Sequence, residues 1–236
     1  MQNYQNYQDW KNWRSEDFAS ASKEENLYFS KLRKSFKLGD SLDVLEVGFG
    51  NGSFLDFSKS VGWNISGVEL ISSLVDRATE NGYHAFYSID NIPSINKYDL
   101  IVAFDVLEHI DPDQLLIFLE KIRNFLHPNG SLIIRVPNGS SPFGLSNQHG
   151  DITHRNIITE SKMDYWANCV NLEVNYKGGD IYLIYNGKKV KVPTRFLKRT
   201  LQLVIERLVR WIFAPQSKGF LSANSMYVLG QKNNES

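Results

Sequence analysis

The chain of 236 residues carries a single cysteine, Cys169, which excludes an internal disulfide. It falls in a helical-looking stretch, SKMDYWANCV, where a small packing residue is expected rather than a nucleophile. An excess of charge of one sign is also lacking. The 26 lysines and arginines balance 26 aspartates and glutamates, so no global field draws this protein onto nucleic acid. No apolar run approaches the roughly 18 residues of a membrane span. The start, MQNYQNYQDWKNW, has neither the charged beginning nor the apolar run of a signal peptide. A reducing, cytoplasmic compartment is the resulting expectation. Repeats are missing too, and at this length one domain with a full-sized core is the default.

What is present begins with residues 44–55, VLEVGFGNGSFL, an apolar strand running into Gly48-x-Gly50-x-Gly52 and then a helix. Glycine at the end of a strand permits a tight turn and a close approach of ligand to backbone. A dinucleotide fingerprint would place its third glycine where Ser53 stands, with a pyrophosphate on the helix N-terminus. Here that glycine comes one residue early, and Glu46 sits on the strand itself. Such a turn suits a ligand bearing an ammonium group better than one bearing two phosphates.

Strand and helix patterns then alternate. Strands are predicted near 42–47, 64–69, 84–88, 98–104 and 130–136, and helices near 51–61, 71–81 and 111–126. Apolar strands separated by amphipathic helices indicate a parallel sheet covered on both faces. Asp111 followed by Pro112 reads as a helix start, the aspartate capping free N–H groups. The stretch 125–138, FLHPNGSLIIRVPN, reads as a helix end, a Pro-Asn-Gly turn and a strand. Further on come a helix near 159–170, a strand near 172–177 and a last strand in 222–232.

The strand NISGVEL ends in Glu69, and YDLIVAFDVLEHI ends in Asp105, Glu108 and His109. Together, E-x-G-x-G-x-G, the later Glu, the FD-x-x-EH strand end and the HPNG turn resemble class I S-adenosylmethionine-dependent methyltransferases, closely over about 40–140 and loosely beyond. The resemblance implies an α/β, Rossmann-like sheet of seven mostly parallel strands with helices on both faces and the last strand antiparallel. It also implies a helical cap over 1–40 and a methyltransferase domain over 41–236. ENLYFS at 25–30 lacks the glutamine of a protease tag and reads as native helix. For the aromatic residues of the cap (Tyr4, Tyr7, Trp10, Trp13, Phe18, Tyr28, Phe29), packing on the sheet is the preferred reading over closing on a cofactor.

For S-adenosylmethionine, the resemblance assigns Glu46 to the amino-acid end, Gly48, Gly50 and Gly52 to the close backbone approach, and Glu69 to the ribose hydroxyls. Asp90 falls where an acidic side chain meets the adenine amine, with a plain helix cap as its competing reading. Leu70 and Ile89 would wall the ring, and Asp105 would lie near the methionine moiety.

Methyl transfer to an alcohol needs alignment and a proton acceptor. The acceptor loop, 139–158, contains HGDITHR, and its His149, Asp151 and His154 are the catalytic candidates. Arg155, His109 and Asn138 are candidates for binding the acceptor, Arg155 through a phosphate or uronate. Similar G-D-x-T-H stretches belong to methyltransferases of surface-polysaccharide biosynthesis. A structural Asp–His–Arg knot in the loop is the plainer alternative. Asp105, Glu108 and His109 with His149 or His154 would also make an oxygen and nitrogen shell for a divalent ion. Glu-His is common at this point in metal-free relatives, so no metal is expected.

Finally, 193–215 (PTRFLKRTLQLVIERLVRWIFAP) is an amphipathic insertion. Leu197, Leu201, Val204, Ile205, Leu208, Trp211 and Ile212 share one face, and Arg195, Arg199, Gln202, Glu206, Arg207 and Arg210 the other, with Lys188, Lys189 and Lys191 ahead of it. A peripheral contact at the inner face of a membrane is one reading; packing on the domain or on a second subunit of a homodimer is the other.

The leading expectation is an O-methyltransferase for a sugar hydroxyl of a nucleotide- or lipid-linked glycan. The alternatives are a methyltransferase of a phenolic or quinone-like lipid, and a silent cofactor-binding partner protein docking through its basic helix. Nucleic acid is not an expected partner, because the fourth strand ends in FDVLEH rather than Asn/Asp-Pro-Pro-Tyr.

Overall fold

A computed structural model describes residues 11, 13, 17–186, 191–213 and 220–232. Tyr4, Tyr7, Trp10, Lys188 and Lys189 lie outside them. In chain order the elements are α1 (Lys23–Ser35), β1 (Asp43–Val47), α2 (Ser53–Ser60), β2 (Asn64–Val68), α3 (Ser72–Glu80), β3 (His84–Phe86), β4 (Tyr98–Phe104) and α4 (Pro112–Phe125). They continue with β5 (Leu126–Pro137), α5 (Leu145–Gly150), α6 (Glu160–Cys169), β6 (Leu172–Gly179), α7 (Val192–Phe213) and β7 (Asn224–Gln231). The strands form one sheet in the order β3-β2-β1-β4-β5-β7-β6. Strands β3, β2, β1, β4 and β5 pair in parallel, and β7 runs antiparallel to both β5 and β6. The mostly parallel seven-stranded sheet and its antiparallel last strand are those the resemblance implied.

Alternation along the central strands explains why both faces are covered. Ile101 and Ala103 of β4 point into one apolar cluster with Leu115, Leu119 and Ile122 of α4 and Trp166 of α6. Leu100 and Val102 point into the other, with Phe54 and Phe57 of α2, Trp63, and Phe29 and Leu32 of α1. The period-two backbone sends successive side chains to opposite faces, so a strand buried on both sides has to be apolar throughout. Phe18 and Phe29 of the anticipated cap are core residues, 8% and 6% exposed. Phe29 lies 5.1 Å from the Phe54 ring. Trp13 instead lines the cavity described below.

Two local expectations change. HPNG is no turn between two elements, because it lies inside β5, where Leu126 pairs with Tyr98 and Ser131 with Leu100 across an irregularity. Four residues bulge out there and the same strand resumes; a Cβ on Gly130 would lie 2.8 Å from the Tyr98 carbonyl oxygen. Asp111 stands at the start of α4 with Pro112 next, yet its side chain caps nothing. Both carboxylate oxygens accept from Arg155, at 2.9 and 3.1 Å.

The loop over 139–158 is more built than a connector. It contains α5, and Ser141, Gln148, Asp151 and Asn156 are buried within it. The strand order reverses between β1 and β4, and in such sheets ligands bind at the carboxyl ends on either side of that reversal.

Candidate functional site

At the end of β1 the chain turns through Gly48, Gly50 and Gly52, all at positive φ (72°, 51° and 77°), where an L side chain is strained. Space forbids one as well. A Cβ on Gly48 would sit 2.6 Å from Val106, and one on Gly50 2.8 Å from the Trp13 ring. Gly52 does not face the cavity; it starts α2 and packs against Phe18. Its backbone conformation, not ligand contact, requires glycine there.

Two carboxylates flank this turn. Glu69 accepts from the backbone N–H groups of Gly50 (3.0 Å), Leu70 (2.7 Å) and Ile71 (3.2 Å), so the glycine turn and the two residues after Glu69 hold it in place. Burial raises its pKa against those three bonds. Glu46 is 5% exposed, and its Oε2 has no hydrogen-bond partner among the described residues. Burial and then the Glu69 charge push its carboxyl well above the usual range. A cationic ligand group beside Glu46 would reverse that shift.

Directly after β4 comes Asp105, at φ 57°, whose carboxylate is clamped by Nε and Nη2 of Arg135. The Arg135 guanidinium also lies 5.5 Å from the Tyr28 ring and 5.2 Å from the Phe104 ring. The Tyr28 hydroxyl donates to Asp180 at 2.6 Å. Arg135 escaped the sequence reading, although an arginine inside the apolar run LIIRVP was the available signal.

The next turn brings Glu108 and His109 under the acceptor loop. Backbone N–H groups of Arg155 and Asn156 donate to the Glu108 carbonyl, at 2.8 and 3.0 Å, and lock loop to strand end. Glu108 is 1% exposed, with neither carboxylate oxygen hydrogen-bonded to any of the described residues. Burial, reinforced by the Asp105 charge, pushes its pKa up to about 8. The rings of His109 and His154 meet edge to face, 4.7 Å apart. His154 Nδ1 lies 2.9 Å from the Gln148 carbonyl, which can only accept. A proton therefore sits on Nδ1, and in the neutral ring the lone pair is on Nε2, 3.9 Å from both Glu108 and Asp151.

Asp151 receives the Thr153 hydroxyl and backbone N–H and pairs with Lys11 at 3.3 Å. Burial alone would raise its pKa, but the Thr153 bonds and the Lys11 and His154 charges outweigh it and hold the group below its ordinary value. Thr153 Oγ1 also meets His109 Nδ1 at 2.9 Å. Burial, then the neighbouring His154, lowers the His109 pKa. Among the described residues Glu108, His109 and His154 offer three ligand atoms within 4.8 Å of one another, a set able to hold a divalent ion.

One cavity of about 810 Å³ joins both ends of this array. Glu46, Gly48, Gly50, Glu69, Leu70, Ile89 and Asp105 line one part, and His109, Asp151, Thr153, His154 and Lys11 another. Other candidates stay outside. His149 is exposed at the end of α5 and does not line the cavity, since the helix turns it away from His154. Asn138 is structural: its amide nitrogen donates to Phe220 and Ser222 carbonyls at 3.0 and 3.2 Å, and its oxygen accepts from Ser140. Asp90 pairs with Lys121 at 2.6 Å, away from the lining. Arg155 is bound to Asp111 rather than directed at an acceptor.

Comparison with known proteins gives the family and the fold. A family model described as a methyltransferase domain matches residues 20–176, more than half of the chain. The chain belongs to the methyltransferase family. Among curated relatives of this methyltransferase, the ubiquinone biosynthesis O-methyltransferase of Rickettsia conorii is 29% identical over 104 residues, 41% of this chain and 35% of that protein. Its namesake in Rickettsia bellii is 25% identical over 120 residues, 48% and 49% of the two chains. The matched stretch thus spans less than half of either relative. In structure, a SAM-dependent methyltransferase from Archaeoglobus fulgidus superposes with TM-score 0.62 at 18% identity, over 96% of this chain and 99% of that one. An S-adenosylmethionine-dependent methyltransferase from Clostridium acetobutylicum gives 0.61 at 14%, over 97% and 98%. At such identities these two neighbours speak for the fold.

Proposed function

We propose that this methyltransferase uses S-adenosylmethionine to methylate a hydroxyl of a sugar in a nucleotide- or lipid-linked glycan. The observation that carries the reading is the single cavity lined by Glu46, Glu69 and the glycine turn on one side and by His109, Asp151 and His154 on the other. The donor fits the residues present. Glu46, with its unpartnered buried oxygen, would receive the ammonium group, Glu69 the ribose hydroxyls, and the backbone at Gly48 and Gly50 the close approach. Ile89 and Leu70 would flank the adenine. When bound, S-adenosylmethionine supplies a methyl group on a sulfonium, which needs no further activation by the protein.

The remaining work is alignment and removal of the acceptor's proton. His154 takes that proton on Nε2, the nitrogen its Gln148 contact leaves unprotonated. The ionised Asp151, 3.9 Å from Nε2, stabilises the imidazolium so formed. The Thr153 bond fixes the neighbouring His109 ring against it. Ser146 and Asn147 also line the cavity, and such polar groups suit a sugar.

A second reading, a phenolic or quinone-like lipid as acceptor, is favoured by the names of the curated relatives. Labelled methyl transfer decides between them when nucleotide sugars, glycan lipids and catechols are offered in parallel. Incorporation into the sugar-containing fractions supports the first reading; incorporation into catechols alone replaces it with the second. A protein that binds the donor and labels none of these is the silent partner instead.

A further inference from the structure

Amphipathic helices in globular proteins dock by their apolar stripe. Helix α7 does the reverse. Its partly covered positions are Val192, Arg195, Arg199, Glu206, Val209 and Arg210, which share the polar side of the wheel apart from the two valines at its edges. Arg195 donates to the Leu183 carbonyl at 3.0 Å and pairs with Glu24 of α1 at 3.3 Å. The Tyr182 hydroxyl donates back to the Arg195 carbonyl at 2.9 Å, and the Arg199 guanidinium lies 5.2 Å from the Tyr182 ring. Glu206 accepts from the Leu221 N–H at 3.3 Å and pairs with Arg210. These contacts hold the arginine face on the body of the molecule.

The apolar stripe consequently points outward. Leu197, Leu201, Val204, Leu208 and Trp211 are 50–75% exposed, and no residue of the helix is buried. A contiguous outward stripe about 20 Å long, from Leu197 to Trp211 at about 1.5 Å per residue, is what marks an interaction surface rather than scattered surface leucines. Among the described residues no helix is long and apolar enough to cross a membrane. Charge identifies the occupant. On the wheel the exposed Lys198 borders the stripe on one side and the exposed Arg207 on the other, and Glu206, on the opposite face, is the helix's one acid. Pairing two such stripes antiparallel would set cationic borders against each other, whereas an anionic lipid surface neutralises both while their stems follow the apolar boundary.

We propose that α7 is an interfacial anchor, its leucine–tryptophan stripe entering the headgroup boundary of an anionic membrane with Lys198 and Arg207 at phosphate level and its arginine face kept on the protein. The inference does not rest on which hydroxyl is methylated. It is tested by flotation of the full chain with phosphatidylcholine vesicles and with vesicles holding about three in ten phosphatidylglycerol. Wild type should float with the anionic vesicles and be released by salt. The Leu201→Glu/Leu208→Glu and Lys198→Glu/Arg207→Glu variants should each lose at least about tenfold in partitioning. Unchanged donor binding by calorimetry certifies that the variants are folded, and the second pair leaves the apolar stripe untouched should the first misfold. The proposal is overturned if wild type stays in the aqueous fraction. It is equally overturned if wild type partitions alike onto both vesicle types, or if light scattering shows a dimer that Leu201→Glu/Leu208→Glu dissociates.

Discussion

The donor end and the acceptor end of the cavity are built by different means. At the donor end, Glu46, the glycine turn and Glu69 lie within 24 residues, and backbone N–H groups of Gly50 in that turn and of Leu70 and Ile71, next in sequence, hold Glu69. At the acceptor end, His109 follows β4 while Asp151 and His154 come from the loop over 139–158, joined by Glu108 carbonyl bonds to that loop and by Lys11 from the N-terminal segment. A strand end with its following turn is local and self-positioning. A side-chain cluster spread over the chain exists only when the packing that assembles it is complete.

Substitutions at the two ends should therefore fail differently. The largest expected effect is at His154, where His154→Ala should cost roughly 10²–10⁴ in kcat. Donor affinity by calorimetry should stay within about threefold, as chemistry and binding lie on different walls. A parallel loss of donor binding would erase the distinction between the ends. With His154 as proton acceptor, chelation should leave turnover unchanged; a loss restored by Mn²⁺ would reassign Glu108, His109 and His154 to a metal.

Glu69→Ala should weaken S-adenosylmethionine by on the order of 100-fold, the scale of two charge-assisted hydrogen bonds. A smaller effect is expected from Arg135→Met, about 1–2 kcal/mol of unfolding free energy in denaturant titration, because the pair with Asp105 retains some access to water.

Glu46 gives a test through pH. Its folded-state pKa is raised, so the folded protein holds a proton that the unfolded chain has released, and stability falls as pH rises above the ordinary carboxylate value. Without cofactor, Glu46→Gln should melt higher than wild type at pH 7.5, with the gap closing toward pH 4, while donor binding weakens. An equal melting temperature across that range would mean that Glu46 has a partner. The smallest expected effect is that of His149→Ala, with kcat kept within about twofold, since His149 lies off the cavity.

Sequence reading succeeded where the cause of structure was local. The glycine turn, Glu46, Glu69 and the alternating strands could be placed because backbone conformation and period-two burial act over a few residues. It failed where a side chain had a choice of partners. HPNG bulges within β5 because Leu126 already pairs with Tyr98, and Asp111 meets Arg155 instead of capping α4. Asn138 resembled a ligand group, but carbonyls distant in sequence take up its amide.

The amino-acid order alone determined a sheet of apolar strands with a glycine turn and flanking carboxylates, because these follow from local sterics and hydrophobic period. Tertiary packing alone decided that Glu108, His109, Asp151 and His154 would share one chamber, that Arg135 would clamp Asp105, and that α7 would present its leucines outward. Each of these is a contact between residues far apart in the chain, and only the folded balance of burial against charge selects among the partners available.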